Sequence, residues 1–80
     1  MSEFPHLRWQ CRRGMKELDM LLEGFLGRHF GTVSPADQRA FAALLNLPDP
    51  VLFGYIMGRE QPETEEQRRV VESLRRTPRT

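Results

Sequence analysis

Trp9-Gln10-Cys11-Arg12-Arg13-Gly14-Met15-Lys16-Glu17-Leu18-Asp19 sets two arginines, a glycine and two acids between two apolar runs. From Gly14 onward, Met15, Leu18, Leu21, Leu22, Phe25 and Leu26 recur at helical spacing. They line one side of an α-helix expected over 15–30. Glu17 and Asp19 then fall in its first turns, where unpaired amides favour negative charge. Arg12 and Arg13 suit the C-terminal end of a preceding helix, expected over 4–13 and carrying Trp9 on a face packed against the bundle. Gly14 is the expected hinge, because a residue without Cβ takes positive φ at no steric cost and closes the first helix.

Ordinary helix punctuation explains the signs of these charges but not their clustering. Arg13 and Glu17 lie four residues apart, and in the order Arg before Glu such a pair contributes only about 0.2–0.5 kcal/mol to a helix. Gly14 bears no side chain between them, so the expected arrangement is an exposed, flattened, charged patch open to another protein's backbone.

The same run resembles the signature of the succinate dehydrogenase FAD assembly factors of the SdhE type, whose bacterial members are also known as CptB-like antitoxins. The family's Arg-Gly-x-x-Glu motif falls on Arg13, Gly14 and Glu17. A second block, Leu44-Leu45-Asn46-Leu47-Pro48-Asp49-Pro50-Val51-Leu52-Phe53-Gly54-Tyr55-Ile56-Met57-Gly58, is similar to the family's later Leu-Leu, Asp-x-x-Leu and aromatic pattern. Tyr55 stands where a tryptophan is common, and Val51 where an acid is common. The resemblance implies a small helical chaperone that binds the flavoprotein subunit of succinate dehydrogenase, and in some bacteria that of fumarate reductase. Such a chaperone promotes covalent attachment of FAD to a client histidine. It implies that Arg12, Arg13, Gly14, Glu17 and Asp19 contact the partner, and that FAD belongs to the client, with no cofactor stably bound by the factor itself.

Composition bounds the alternatives. Eighty residues make one domain, 1–80, and a chain of this size buries only about 60–65% of the surface it exposes when unfolded, too little for a deep catalytic cleft. The net charge is +1, with 29% charged residues, so no global excess draws the chain to nucleic acid or an anionic membrane. A single cysteine forms no internal disulfide, and no Cys/His spacing resembles a metal site. Cys11 reads as an inert small thiol despite its arginine neighbours. Neither a signal peptide nor a membrane-spanning apolar run is visible, and the expectation is a soluble, cytoplasmic monomer.

The remaining helices follow from their start and stop signals. His29, in the last turn of the second helix, reads as a cap rather than a catalyst, and Gly31 as its stop. Gly24 and Gly27 inside that helix mark either close approach of another helix or tolerated looseness. Ser34-Pro35-Ala36-Asp37 opens a third helix over 35–46 with Phe41, Leu44 and Leu45 inward. Asp49-Pro50 opens a fourth over 49–57 bearing Leu52, Tyr55 and Ile56, closed by Gly58. Thr64-Glu65-Glu66-Gln67 has the form of a capping box and opens a fifth over 64–76 with Val70, Val71 and Leu74 inward. Its Arg68, Arg69, Arg75 and Arg76 are expected to face solvent.

The expected fold is therefore an all-α, single-domain five-helix bundle. Its core draws on Leu18, Leu22, Phe25, Phe41, Leu44, Leu45, Leu52, Ile56, Val70 and Leu74, with frayed residues 1–4 and a disordered tail at 77–80. No Ser/His/Asp arrangement, phosphate-cradling glycine loop or metal-binding helix motif argues for an enzyme. Two other classes stay open beside the assembly factor: an antitoxin-type interaction module and a small helical nucleic-acid-binding domain. Against the latter, acids share the arginine-bearing helix and no aromatic residue is interleaved to stack on bases.

Overall fold

The computed structural model describes residues 5–76. The expectations for residues 1–4 and 77–80 lie outside the described residues. All regular structure among the described residues is helical: α1 (Pro5–Gln10), α2 (Lys16–Arg28), α3 (Pro35–Leu45), α4 (Asp49–Ile56) and α5 (Glu65–Arg76), with one 3-10 turn at Phe30–Thr32. The all-α class expected from periodicity holds, but the five-helix bundle does not. Four helices of at least two turns form the body, and α1 is a six-residue segment laid against α2 and α3.

Local chemistry sets most of the boundaries. Ser34 accepts from the Asp37 amide at 3.2 Å, with Pro35 in the first turn of α3, so an otherwise orphaned donor is satisfied where the helix begins. Thr64 does the same for the Gln67 amide at 3.1 Å. Helix α4 ends in a Schellman motif: the Arg59 amide donates to the Gly54 carbonyl at 2.9 Å and the Gly58 amide to the Tyr55 carbonyl at 3.2 Å, with Gly58 at φ +81°. Gly31 does not stop α2 as expected. That helix tightens into the 3-10 turn, and the His29 carbonyl collects the Thr32 and Val33 amides and the Thr32 hydroxyl. His29 is the residue that caps α2, its own amide still bonded to the Phe25 carbonyl. Among the described residues nothing outside its own helix comes within 4 Å of a Cβ built on Gly27, so the approach of another described helix does not explain that glycine.

All ten residues expected in the core are buried. Phe41 of α3 lies at its centre, its ring 4.7 Å from that of Phe25 and 5.6 Å from that of Phe30. α3 packs most extensively against α5. At the N-terminal end the packing differs from the expectation. Cys11 is fully buried and Leu7 packs against the core, whereas Trp9 is 72% exposed. Leu7 and Cys11 are one helical turn apart and joined by the Cys11 amide bonding to the Leu7 carbonyl, so they define the inward face; Trp9, midway between them, points to solvent. The buried Cys11 thiol is shielded from solvent, in keeping with an inert side chain.

Candidate protein-docking site

Between α1 and α2 the chain makes a loop over residues 11–15, and the charged motif is built there. Met15 occupies the N-cap position of α2 and offers no side-chain cap. Asp19, one turn inside the helix, fastens the loop that precedes it: its Oδ1 accepts from the Arg13 amide at 2.7 Å and its Oδ2 from the Gly14 amide at 3.2 Å. The carboxylate also lies near the positive end of the α2 dipole, so its loop bonds and electrostatics favour the same placement. Gly14 takes φ +82° and is exposed, and none of the described residues comes within 4 Å of where a Cβ would stand, its chain neighbours aside. It is therefore not the C′ residue expected of a helix over 4–13. α1 ends at Gln10, and Gly14 turns the loop three residues beyond Cys11. Because space around it is open, Gly14→Ala is expected to cost only backbone strain, about 1–2 kcal/mol. In a domain of this size that lowers the melting temperature by roughly 5–15 °C in thermal unfolding followed by circular dichroism.

Arg13 departs furthest from the expected exposed patch with Gly14 and Glu17: its side chain is only 13% exposed and turned into the molecule. Its Nε donates to the Gln10 carbonyl at 3.0 Å, and its Nη1 to the Leu47 carbonyl and the Asp49 carboxylate, each at 2.9 Å. Its Nη2 donates to the Leu45 carbonyl. The planar guanidinium thus fills the corner where α3 ends and α4 begins, satisfying carbonyls that no helix amide reaches. Gln10 adds a bond from its Nε2 to Asn46 Oδ1 at 3.1 Å, tying the end of α1 to the same corner. The reason is geometric: the loop turns at Gly14, so Arg13 and Glu17 never share the continuous helical face that four-residue spacing implies.

Of the five residues expected to meet a partner, Arg12, Gly14 and Glu17 are exposed, whereas Arg13 turns inward and the half-buried Asp19 holds the loop. Arg12 keeps a loose pairing with Glu23 at 3.8 Å. Glu17 sits in the first turn of α2 beside the exposed Lys16. The outward surface around the loop therefore carries Trp9, Arg12, Gly14, Lys16 and Glu17. Trp9 escapes sequence reasoning as a surface residue, because a first helix running to Arg13 places it against the bundle. Asp49 escapes it as a partner of Arg13, because the sequence marks it only as a helix start and as part of the Asp-x-x-Leu pattern, and the Leu45 and Leu47 carbonyls leave no mark there.

The arginines of α5 are also more engaged than expected. Arg69 reaches Asp37 of α3 at 2.9 Å, a hydrogen bond and charge that raise its pKa above the ordinary value. Arg75 donates to the Ile56 and Tyr55 carbonyls at the end of α4, both at 2.9 Å, repeating at that terminus what Arg13 does for α3. Glu65 pairs with Arg68, and Glu72 with Arg75 and Arg76. Each of these four cations faces a carboxylate, so α5 offers phosphate little uncompensated charge. No group of three or more potential metal ligands occurs among the described residues. No helix among them is long and apolar enough to cross a membrane.

Comparison with known proteins agrees with the motif. The chain is 38% identical over 68 residues to the FAD assembly factor SdhE of Coxiella burnetii, covering 85% of this chain and 83% of that protein. It is 43% identical over 63 residues to the protein of the same name from Legionella pneumophila strain Paris, covering 79% and 80% respectively. No solved structure gives a significant match. The family model described as flavinator of succinate dehydrogenase matches residues 5–78, nearly the whole chain. With the Arg-Gly-x-x-Glu run at the α1–α2 loop and the Asp49 block beneath it, the chain belongs to the flavinator of succinate dehydrogenase family.

Proposed function

We propose that this protein is an assembly chaperone that binds the flavoprotein subunit of succinate dehydrogenase and promotes covalent attachment of FAD to it. The observation that carries this reading is the construction of the motif loop. Asp19 fixes its amides and Arg13 locks it to the α3–α4 corner, so that Arg12, Gly14 and Glu17 sit on a surface formed before any partner arrives. Preorganisation of that kind removes an ordering cost from binding and suits a docking surface. The relatives bearing the name FAD assembly factor supply the class of client.

The factor works without catalytic residues of its own. It holds a flavoprotein conformer in which the isoalloxazine and the client histidine are aligned, and correct alignment by itself lowers a barrier substantially. Glu17 and Arg12 are the charged contacts, and Gly14 lets the client backbone approach. The flavin stays with the client, and the factor acts as a cytoplasmic monomer. The flavoprotein of fumarate reductase is a second client where a host makes both enzymes.

Glu17→Ala separates docking from folding. Glu17 is exposed, and an exposed charge of this kind contributes about 0.5 kcal/mol at most, so the melting temperature is expected to move by less than about 4 °C. Covalent flavin on the client, read by in-gel fluorescence in a strain lacking the native factor, is expected to fall sharply. Full flavinylation by a folded Glu17→Ala protein would remove Glu17 from the site, and full flavinylation with no factor present would refute the function in that host.

A further inference from the structure

The guanidinium of Arg13 is spent inside the molecule, on acceptors contributed by α1, the end of α3 and the start of α4. None of its bonds points toward the exposed surface. Yet its backbone amide is one of the two that Asp19 holds, and its neighbours on either side, Arg12 and Gly14, are exposed. The side chain and backbone of one residue therefore connect two distant parts of the chain. The side chain is bolted to Asp49, 36 residues away in sequence, and the backbone sets the course of the motif loop.

We infer that Asp49 and Arg13 are positioning residues for client engagement: the α3–α4 corner, through Asp49 and the Leu45 and Leu47 carbonyls, fixes how Arg12, Gly14 and Glu17 are presented. The inference rests on the docking reading given above and assigns the corner a part in it. Asp49 does not meet the client; it acts through Arg13. Its carboxylate is the only acidic acceptor of the four that Arg13 uses among the described residues, so its charge sets how firmly the guanidinium is held. A second bond joins the same two segments: Gln10 Nε2 donates to Asn46 Oδ1 at 3.1 Å, so the chain entering the turn is fastened to the corner at two residues.

The test uses Asp49→Asn, which keeps the side chain's size and the three carbonyl acceptors while removing the charge. In the free protein, amide hydrogen exchange at Arg13 and Gly14 is expected to quicken about fivefold or more relative to amides in the middle of α3, because the loop opens without the molecule unfolding. Affinity for the purified flavoprotein subunit is expected to fall about fivefold or more. In a Glu17→Ala background that further loss is expected to be smaller, since one of the three presented residues is already gone while Arg12 and Gly14 remain. Unchanged exchange at Arg13 and Gly14 overturns the inference, as does an Asp49→Asn penalty on binding that is the same with and without Glu17. If Glu17→Ala binds the client normally, the docking reading fails instead, and the exchange measurement still decides whether Asp49 governs the loop.

Discussion

Replacing Arg13 by alanine is expected to lower the melting temperature by about 10–20 °C, the largest effect of any charged-residue substitution in this chain. The side chain is almost fully withdrawn from solvent and donates to four acceptors on three segments. Hydrogen bonds from a charged donor are worth about 1.5–3 kcal/mol each when a partner is deleted, but these are not additive. Asp49 remains about one-third exposed and is rehydrated once its partner is gone, so the net cost sits near the low end for a broken buried pair, about 2–3 kcal/mol. In a domain of 80 residues each kcal/mol moves the midpoint by about 4–8 °C. Arg13→Lys should recover only part of this, because an ammonium cannot span carbonyls at opposite ends of a planar fork. A drop below about 4 °C for Arg13→Ala, by calorimetry or circular dichroism, would show that the inward guanidinium is not a structural anchor. The contrast with Glu17→Ala is the useful part: one motif residue governs stability, and the other is expected to govern client modification alone.

Phe41→Ala is expected to unfold a substantial fraction of the protein at 37 °C. Phe41 is fully buried and its ring meets those of Phe25 and Phe30, so truncation leaves a cavity bounded by α2, the 3-10 turn and α3. Such a change costs about 3–5 kcal/mol, through lost transfer energy and a void that rigid neighbours cannot close. A domain of this size has only about 4–12 kcal/mol in total. The midpoint should fall by about 15 °C or more, with a matching loss of the urea midpoint at little change in slope. Phe53→Ala makes the comparison, since Phe53 is half-buried on α4 and its truncation should cost clearly less. Equal effects at the two positions would mean that the core is not centred on Phe41.

How much is legible in the sequence differs between helix bodies and the motif. The stripes of α2, α3 and α5 repeat over three or more turns, and the expected inward residues Leu18, Phe25, Phe41, Leu45, Val70 and Leu74 are all buried. Ser34 and Thr64 cap as their positions imply, because a cap is a contact between residues three apart and needs no tertiary information. The first helix reads too long, since Trp9, Arg12 and Arg13 are compatible with a helix and nothing nearby forbids one. The arrest comes from Asp19, which draws the Arg13 and Gly14 amides to itself and takes them out of any helical ladder.

By itself, then, the sequence determined that the regular structure of the described residues is helical, which apolar residues close the core, where most helices begin, and that its Arg-Gly-x-x-Glu run carries the resemblance to the family. Those properties depend on periodicities and contacts spanning a few residues. Only the tertiary structure decided that Arg13 faces inward and Trp9 outward. The partners of Arg13 lie 32 to 36 residues away, apart from Gln10, and carbonyls such as those of Leu45 and Leu47 belong to every residue type alike. A backbone acceptor leaves no mark in the sequence, so a charge that binds one reads as a charge in solvent until the helix that exposes that carbonyl is in place.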